Sequence, residues 1–242
     1  MLTGLCALRV NSSTGEIEKL WARDMDSDDL DDAMKHQGDF QTTGDYFGYS
    51  ADDTLYYFGN NEDADGALKT GNVSVTLDGD SYQFQFSKTG GAEGKGRGLN
   101  GIDDGKYVYK FGQKLKAGSD DKYIVVDKAT KTVNGKTVVT YDKLDDAKDF
   151  MDQDDVVATN LLENTTADTR VNIGNNSNKK AEDLTEAYKI SFTQSDEDVK
   201  HEYVLVNTSG KVIDSKGKNK DGNDYYYVTD SKGVITNVYV EN

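Results

Sequence analysis

Two runs of alternating apolar and polar residues meet at Asp78-Gly79 in the stretch VSVTLDGDSYQFQF, from Val73 to Phe86. A period of two puts one set of side chains on a core face and the other toward water, and Asp-Gly is the strongest short-range signal for a tight hairpin turn. The same grammar recurs. KYVYKFGQKL, Lys106 to Leu115, turns at Gly112, and KYIVVDKATKTVNGKTVVTY, Lys122 to Tyr141, turns at Asn134-Gly135. At the C-terminus HEYVLVNTSGKVIDSKGKNKDGNDYYYVTDSKGVITNVYV places aromatic strands before short turns, with Asn207-Thr208-Ser209-Gly210 echoed by Thr229-Asp230-Ser231-Lys232-Gly233. The chain is therefore expected to be mainly β, a tandem β-hairpin repeat array, solenoid-like, with one unit about every 20 residues stacked on its neighbours.

Composition fits thin layers better than one thick core, since only 35% of the 242 residues are hydrophobic and 30% are charged. Tyrosine, present 15 times, suits such a layer because its ring can be buried while its hydroxyl stays wet. Proline is absent, against about 5% in average proteins, which removes rigid and polyproline linkers. One cysteine, Cys6, excludes an intrachain disulfide, and with only His36 and His201 beside it the common zinc patterns are excluded too. A net charge of -16 repels phosphate backbones and anionic lipid, so no nucleic acid partner and no membrane insertion are expected. No apolar stretch approaches the roughly 20 residues that span a bilayer. The N-terminus has neither a basic lead nor a long apolar segment, so if the chain is secreted its export signal is expected to lie upstream.

Helical spacing interrupts the strands. SDDLDDAMKH predicts a helix with Ser27 as N-cap, acids in the first turn, and Lys35 and His36 in the last turn before Gly38. From Leu144 to Lys189 the period of two is lost: Leu144, Ala147, Phe150 and Met151 share one helical face, and so do Leu184, Ala187 and Tyr188. This stretch is expected to be a small, partly helical insertion. The organisation expected is an N-terminal partial repeat with a short helix over 1–54, hairpin repeats over 55–142, the inserted lobe over 143–190, and C-terminal hairpin repeats over 191–242.

Motifs that could carry chemistry are weak. GKGRGLNG has a basic, Gly-rich character but lacks the phosphate-loop spacing and a strand-loop-helix setting, and it reads as a solvent loop between hairpins. Asn61, Asp63, Asp65 and Gly66 match the first half of a calcium loop, yet its twelfth position is Asn72, not Glu. Asp24, Asp26, Asp28 and Asp29 lack the required glycine, and turn chemistry accounts for both clusters. No nucleophile motif is present; Cys6 reads as a packed small hydrophobe, His36 as a helix-end cation, and His201 as a strand surface residue. The chain is read as noncatalytic and without a cofactor. The positive signal is aromatic: Tyr56, Tyr57, Phe58, Tyr82, Tyr107 and Tyr225 recur on strands, where alternate members would present rings suited to the apolar faces of sugars or a quaternary ammonium group.

At YYFGNNEDADGALKTG the chain resembles the tandem repeats of the cell-wall-binding, choline-binding and glucan-binding family of Gram-positive surface proteins. The family's unit is an aromatic pair, a Gly turn, a small-residue stretch ending Thr-Gly, and then Trp; Tyr56, Tyr57, Phe58, Gly66, Ala67, Leu68, Lys69, Thr70 and Gly71 match it in order. Met1-Leu2-Thr3-Gly4 resembles the close of a preceding unit. Where the family has Trp this chain has Asn72 and Leu5, and its one Trp is Trp21, so a choline cage would lack a wall. The resemblance implies a secreted protein of the cell wall or cell surface, attached to cell-wall polymer or another polysaccharide. A structural or adhesive spacer that binds a host or bacterial protein is the alternative, and a hydrolase in the inserted lobe is a third reading.

Overall fold

The structure, a computed structural model, describes residues 1–11, 13–35, 47–48, 50, 52–59, 66–90, 94–103, 106–133, 135–144, 147–193, 199–214, 219–222 and 224–242. His36, Asn61, Asp63, Asp65 and Asn134 lie outside these residues. The fold is mainly β, built from several antiparallel sheets, as the alternating runs predict. The chain divides into two compact units, residues 1–104 with 108–115, and residues 105–107 with 116–242.

The first unit holds β1 (Leu5–Val10), β2 (Ile17–Ala22), α1 (Ser27–Lys35), β3 (Asp53–Tyr57), β4 (Gly71–Leu77), β5 (Asp80–Phe86), β6 (Gly101–Ile102), β7 (Val108–Lys110) and β8 (Gln113–Lys114). They make two sheets, ordered β2-β1-β3 and β4-β5-β8-β7-β6. Strands β1 and β3 are buried on both faces. Leu5, Ala7, Leu55 and Tyr57 join Leu30 and Ala33 of α1 and Val75, Leu77, Phe84 and Phe86 in one core, while Cys6, Leu8 and Tyr56 form a second cluster behind them. Such two-sided burial explains the continuous apolar run LCAL.

The predicted Asp78-Gly79 turn forms: Leu77 pairs with Asp80, and Asp78 and Gly79 take φ of 49° and 95°, as a two-residue hairpin turn requires. Its carboxylate has a second use. Asp78 Oδ2 accepts hydrogen bonds from the Ser27 N–H (2.9 Å) and Oγ (2.6 Å) at the start of α1, which holds the Asp78 carboxyl below its ordinary range. The cap proper is one residue earlier than expected, because Asp26 Oδ1 accepts the Asp29 N–H at 2.9 Å.

The second unit holds β9 (Tyr123–Val133), β10 (Lys136–Lys143), β11 (Val156–Asn160), β12 (Arg170–Asn172), β13 (Asn178–Lys180), β14 (Leu184–Phe192), β15 (Lys200–Asn207), β16 (Asn219–Lys220), β17 (Tyr225–Thr229) and β18 (Ile235–Glu241). A three-stranded sheet, β10-β9-β15, faces a five-stranded sheet, β11-β14-β18-β17-β16, across a core of Val125, Tyr203, Leu205, Ile190, Tyr227, Ile235 and Val238. The outer face of the larger sheet is covered by the β12–β13 hairpin, through Val171 and Ile173 against Ala187, Val228 and Tyr239.

Two expectations are corrected. Among the described residues no solenoid forms: the tyrosine-rich segments that look like successive repeats enter different sheets, β15 pairing with β9 and β17 with β18. The expected helix over Ala181–Ile190 is strand β14 after one short turn of helix, Ala181–Asp183. Its three-residue burial rhythm, Leu184, Ala187, Ile190, arises because the sheet is covered on both faces and an irregularity lies between Leu184 and Glu186. The expected helix at Leu144–Met151 is a six-residue 3-10 helix, Ala147–Asp152, which serves to place Phe150 in the core. No helix of the described residues is long and apolar enough to cross a membrane.

Candidate functional site

The rings singled out from the sequence divide between the units and mostly point inward. Tyr56 and Tyr57 are 6% and 8% exposed, so neither offers a ring face to a ligand. Phe58 packs half-buried against the Cys6–Leu8–Tyr56 cluster, and Tyr82 against the main core of the first unit. In the second unit Tyr107 is half-buried and pairs with Lys211, and Tyr225 is half-buried at the margin of the inter-sheet core. Tyr56, Tyr57, Phe58 and Tyr82 thus belong to the first unit, and Tyr107 and Tyr225 to the second.

Tyr225 acquires other neighbours. Glu186 and Tyr225 both oppose Val240 of β18, and Tyr188 and Tyr227 both oppose Val238. Directly opposed residues share a face of the sheet, so Glu186, Tyr188, Tyr225 and Tyr227 lie on one surface. Tyr227 is fully buried, its hydroxyl donating to Asp221 at 3.0 Å, whereas Tyr188, Tyr225 and Glu186 are half-buried. Burial raises the Tyr225 hydroxyl above its usual range, Glu186 adds to that, and Lys148 from the 3-10 helix acts against it. Two rings, a carboxylate and an amine thus meet at one margin of the sandwich. Tyr188 and Glu186 escape the sequence because their strand has helical spacing.

At the far end of β14 a polar cluster closes the sandwich. His201 Nδ1 sits 2.9 and 3.0 Å from the two carboxylate oxygens of Asp127 on the neighbouring strand, and the Tyr203 hydroxyl donates to Asp155 Oδ1 at 2.8 Å. Phe192 packs on the Tyr203 ring at 5.5 Å. His201 is therefore half-buried against a carboxylate, and no spacing in the sequence links it to Asp127, 74 positions away. A depression of about 450 Å³ lies beside this end, lined by Phe192, Thr193, Lys200, Glu202 and Val234.

The Gly-rich basic segment is structural. Its backbone is laid along strands: Gly96 donates to Ser87, Gly98 to Leu55 and Leu99 to Gln85, so these N–H groups are spent within the protein. A Cβ on Gly98 would meet the Phe111 carbonyl oxygen at 2.2 Å, which shows why glycine stands there. The segment is thus not the solvent loop expected. In the aspartate run, Asp26 caps α1 and Asp24 accepts the Thr3 hydroxyl at 2.7 Å. Among the described residues no three His, Cys, Asp or Glu side chains group to hold a metal ion. Cys6 is buried, its thiol 3.3 Å from the Thr3 carbonyl, and burial raises its pKa.

No family model matches this chain, and no curated protein or solved structure matches it.

Proposed function

We propose that this chain is a noncatalytic module that attaches a secreted bacterial protein to cell-wall polymer or another polysaccharide. The observation that carries this reading is the margin of the second unit, where the half-buried rings of Tyr188 and Tyr225 stand beside Glu186 and Lys148. Ring faces stack on the apolar faces of pyranose sugars, and a carboxylate with an amine supplies acceptor and donor for sugar hydroxyls. Of the contacts expected from the sequence, Tyr225 stays in this set and Tyr56 and Tyr57 leave it, being occupied in the cores of the first unit. The likeness of YYFGNNEDADGALKTG to wall-binding repeats points the same way on sequence alone.

The test is retention of the purified chain by peptidoglycan, teichoic acid or glucans. Wild type is expected to be retained by at least one, and the Tyr188→Ala, Tyr225→Ala double variant to lose most of that retention. Retention by none of them overturns the reading. A second reading, an adhesive spacer meeting another protein, is favoured by one feature: edge strand β2 exposes Ile17 and Leu20.

A further inference from the structure

The sheet β2-β1-β3 is closed along one side and open along the other. Gly98 donates to the Leu55 carbonyl of β3, whereas among the described residues β2 pairs with β1 alone. The open strand departs from regular alternation. Leu20 opposes Leu8 and Ala22 opposes Ala7, which leaves Trp21 as an extra residue; Lys19 opposes Arg9 and Ile17 opposes Val10, which leaves Glu18 as another. Directly opposed residues share a face, and Leu8 and Val10 both belong to the cluster around Cys6 and Tyr56. Ile17 and Leu20, three residues apart, therefore project to that one face, which regular alternation would forbid. Lys19, Trp21 and Ala22 take the other face. The Lys19 ammonium and the Arg9 guanidinium lie 3.7 and 5.5 Å from the centre of the Trp21 ring, and Trp21 and Ala22 pack on the main core. Glu18 joins them, accepting at 2.7 Å the side-chain amide of Asn11, which follows Val10 and so projects away from it.

The face that carries Ile17 and Leu20 is filled at its centre and bare at its rim. Leu8 is 1% exposed, while Leu20 opposite it is 46% and Ile17 51% exposed. Strand β4, which ends the other sheet of this unit, instead turns Asn72, Ser74 and Thr76 to water. That is the edge of a strand guarded against pairing, and β2 lacks such a guard on one face. The order of residues along β2 is also self-complementary. When two copies pair antiparallel about a two-fold axis between Glu18 and Lys19, Ile17 of each copy opposes Leu20 of the other, and Glu18 of each opposes Lys19 of the other. Opposed residues then share a face, apolar meets apolar, and unlike charges meet. Registers centred on Glu18 or on Lys19 would set like charges opposite one another. We propose that β2 is a self-association edge, which joins β2 of a second copy of this chain and makes one continuous sheet of the two.

Charge and size keep this pairing weak. Each copy carries -16 and the contact is one short strand long, so a Kd of about 100 µM is expected in about 0.5 M salt, loosening as salt is withdrawn. The Tyr188–Tyr225 margin takes no part in the contact, so self-association and polysaccharide retention succeed or fail separately.

The test is sedimentation equilibrium of the full chain in about 0.5 M salt, from about a tenth to about ten times that Kd, for wild type, Ile17→Lys, Leu20→Lys and Val157→Lys. The wild-type mean mass is expected to climb from that of one chain toward that of two. Ile17→Lys and Leu20→Lys alter exposed positions, so each is expected to keep the wild-type thermal midpoint while weakening association at least about tenfold. Val157→Lys, at an exposed position of β11 in the second unit, is expected to associate as wild type does. A wild-type mass of one chain throughout overturns the proposal, and so does assembly that survives both β2 substitutions or is lost equally with Val157→Lys. Should a β2 variant not fold, wild-type amide exchange decides: protection over Ile17–Ala22 is expected to rise with protein concentration, and exchange there that ignores concentration overturns the pairing.

Discussion

Asp53 is an enclosed charge of the first unit, with its side chain fully out of solvent. Arg9 reaches it through Nε at 2.7 Å and Nη2 at 3.1 Å, and the N–H groups of Gly48 and Ser50 donate to the same carboxylate at 3.1 and 3.0 Å. Four donors repay the desolvation of one carboxylate, and removing the bidentate one leaves a buried charge unmatched. Arg9→Ala is expected to destabilise the chain by about 3 kcal/mol in chemical denaturation, with Arg9→Lys recovering only part of it because an ammonium cannot make the planar two-point contact. A loss below about 1 kcal/mol would mean that Asp53 finds water in the variant. None of this is legible in the sequence, where Arg9 and Asp53 are 44 positions apart and Asp53 is one acid among 44 acidic residues.

At the scale of elements, the alternating runs are read correctly where one face is buried and wrongly where both are. The β4–β5 hairpin and its Asp78-Gly79 turn follow from local pattern alone. So does the β9–β10 hairpin, in which Val133 pairs with Lys136 and Gly135 takes a φ of 76°. Strand β14 does not, since burial on both faces and the irregularity near Glu186 convert a period of two into one of three. The apparent repeat has a local cause as well. Asn207 Oδ1 accepts the N–H groups of Ser209 and Lys211, Asp230 Oδ1 accepts those of Lys232 and Val234, and Gly210 and Gly233 take φ of 82° and 84°. NTSGK and DSKGV are one turn used twice, chosen because an Asx carbonyl and a left-handed glycine reverse a chain in five residues. The helix is the other element with a testable start: Asp26→Ala removes the cap and should cost about 1 kcal/mol, measured by thermal unfolding, while Ser27→Ala should alter only the contact to Asp78.

For the whole molecule, 35% hydrophobic residues suffice because each sheet is covered on the faces that carry them and the cores are divided. Thin layers were legible from composition; their arrangement in two units was not, because strand partners such as β1 with β3 and β9 with β15 are separated by long stretches of chain. A net charge of -16 spread over 12935 Å² of surface opposes compaction, so raising salt from about 0.01 to 0.15 M should raise the midpoint of thermal unfolding as screening shortens to about 8 Å. A midpoint that falls would place the dominant electrostatics in attractive pairs instead. The claim on which the rest depends is that the tyrosine-rich segments are strands of two facing sheets, not stacked units of an array. Cross-strand backbone proton contacts by nuclear magnetic resonance test it directly. The account predicts contacts joining Tyr203 to Asp127 and Tyr227 to Val238; a backbone ladder joining β15 to β17 would contradict it.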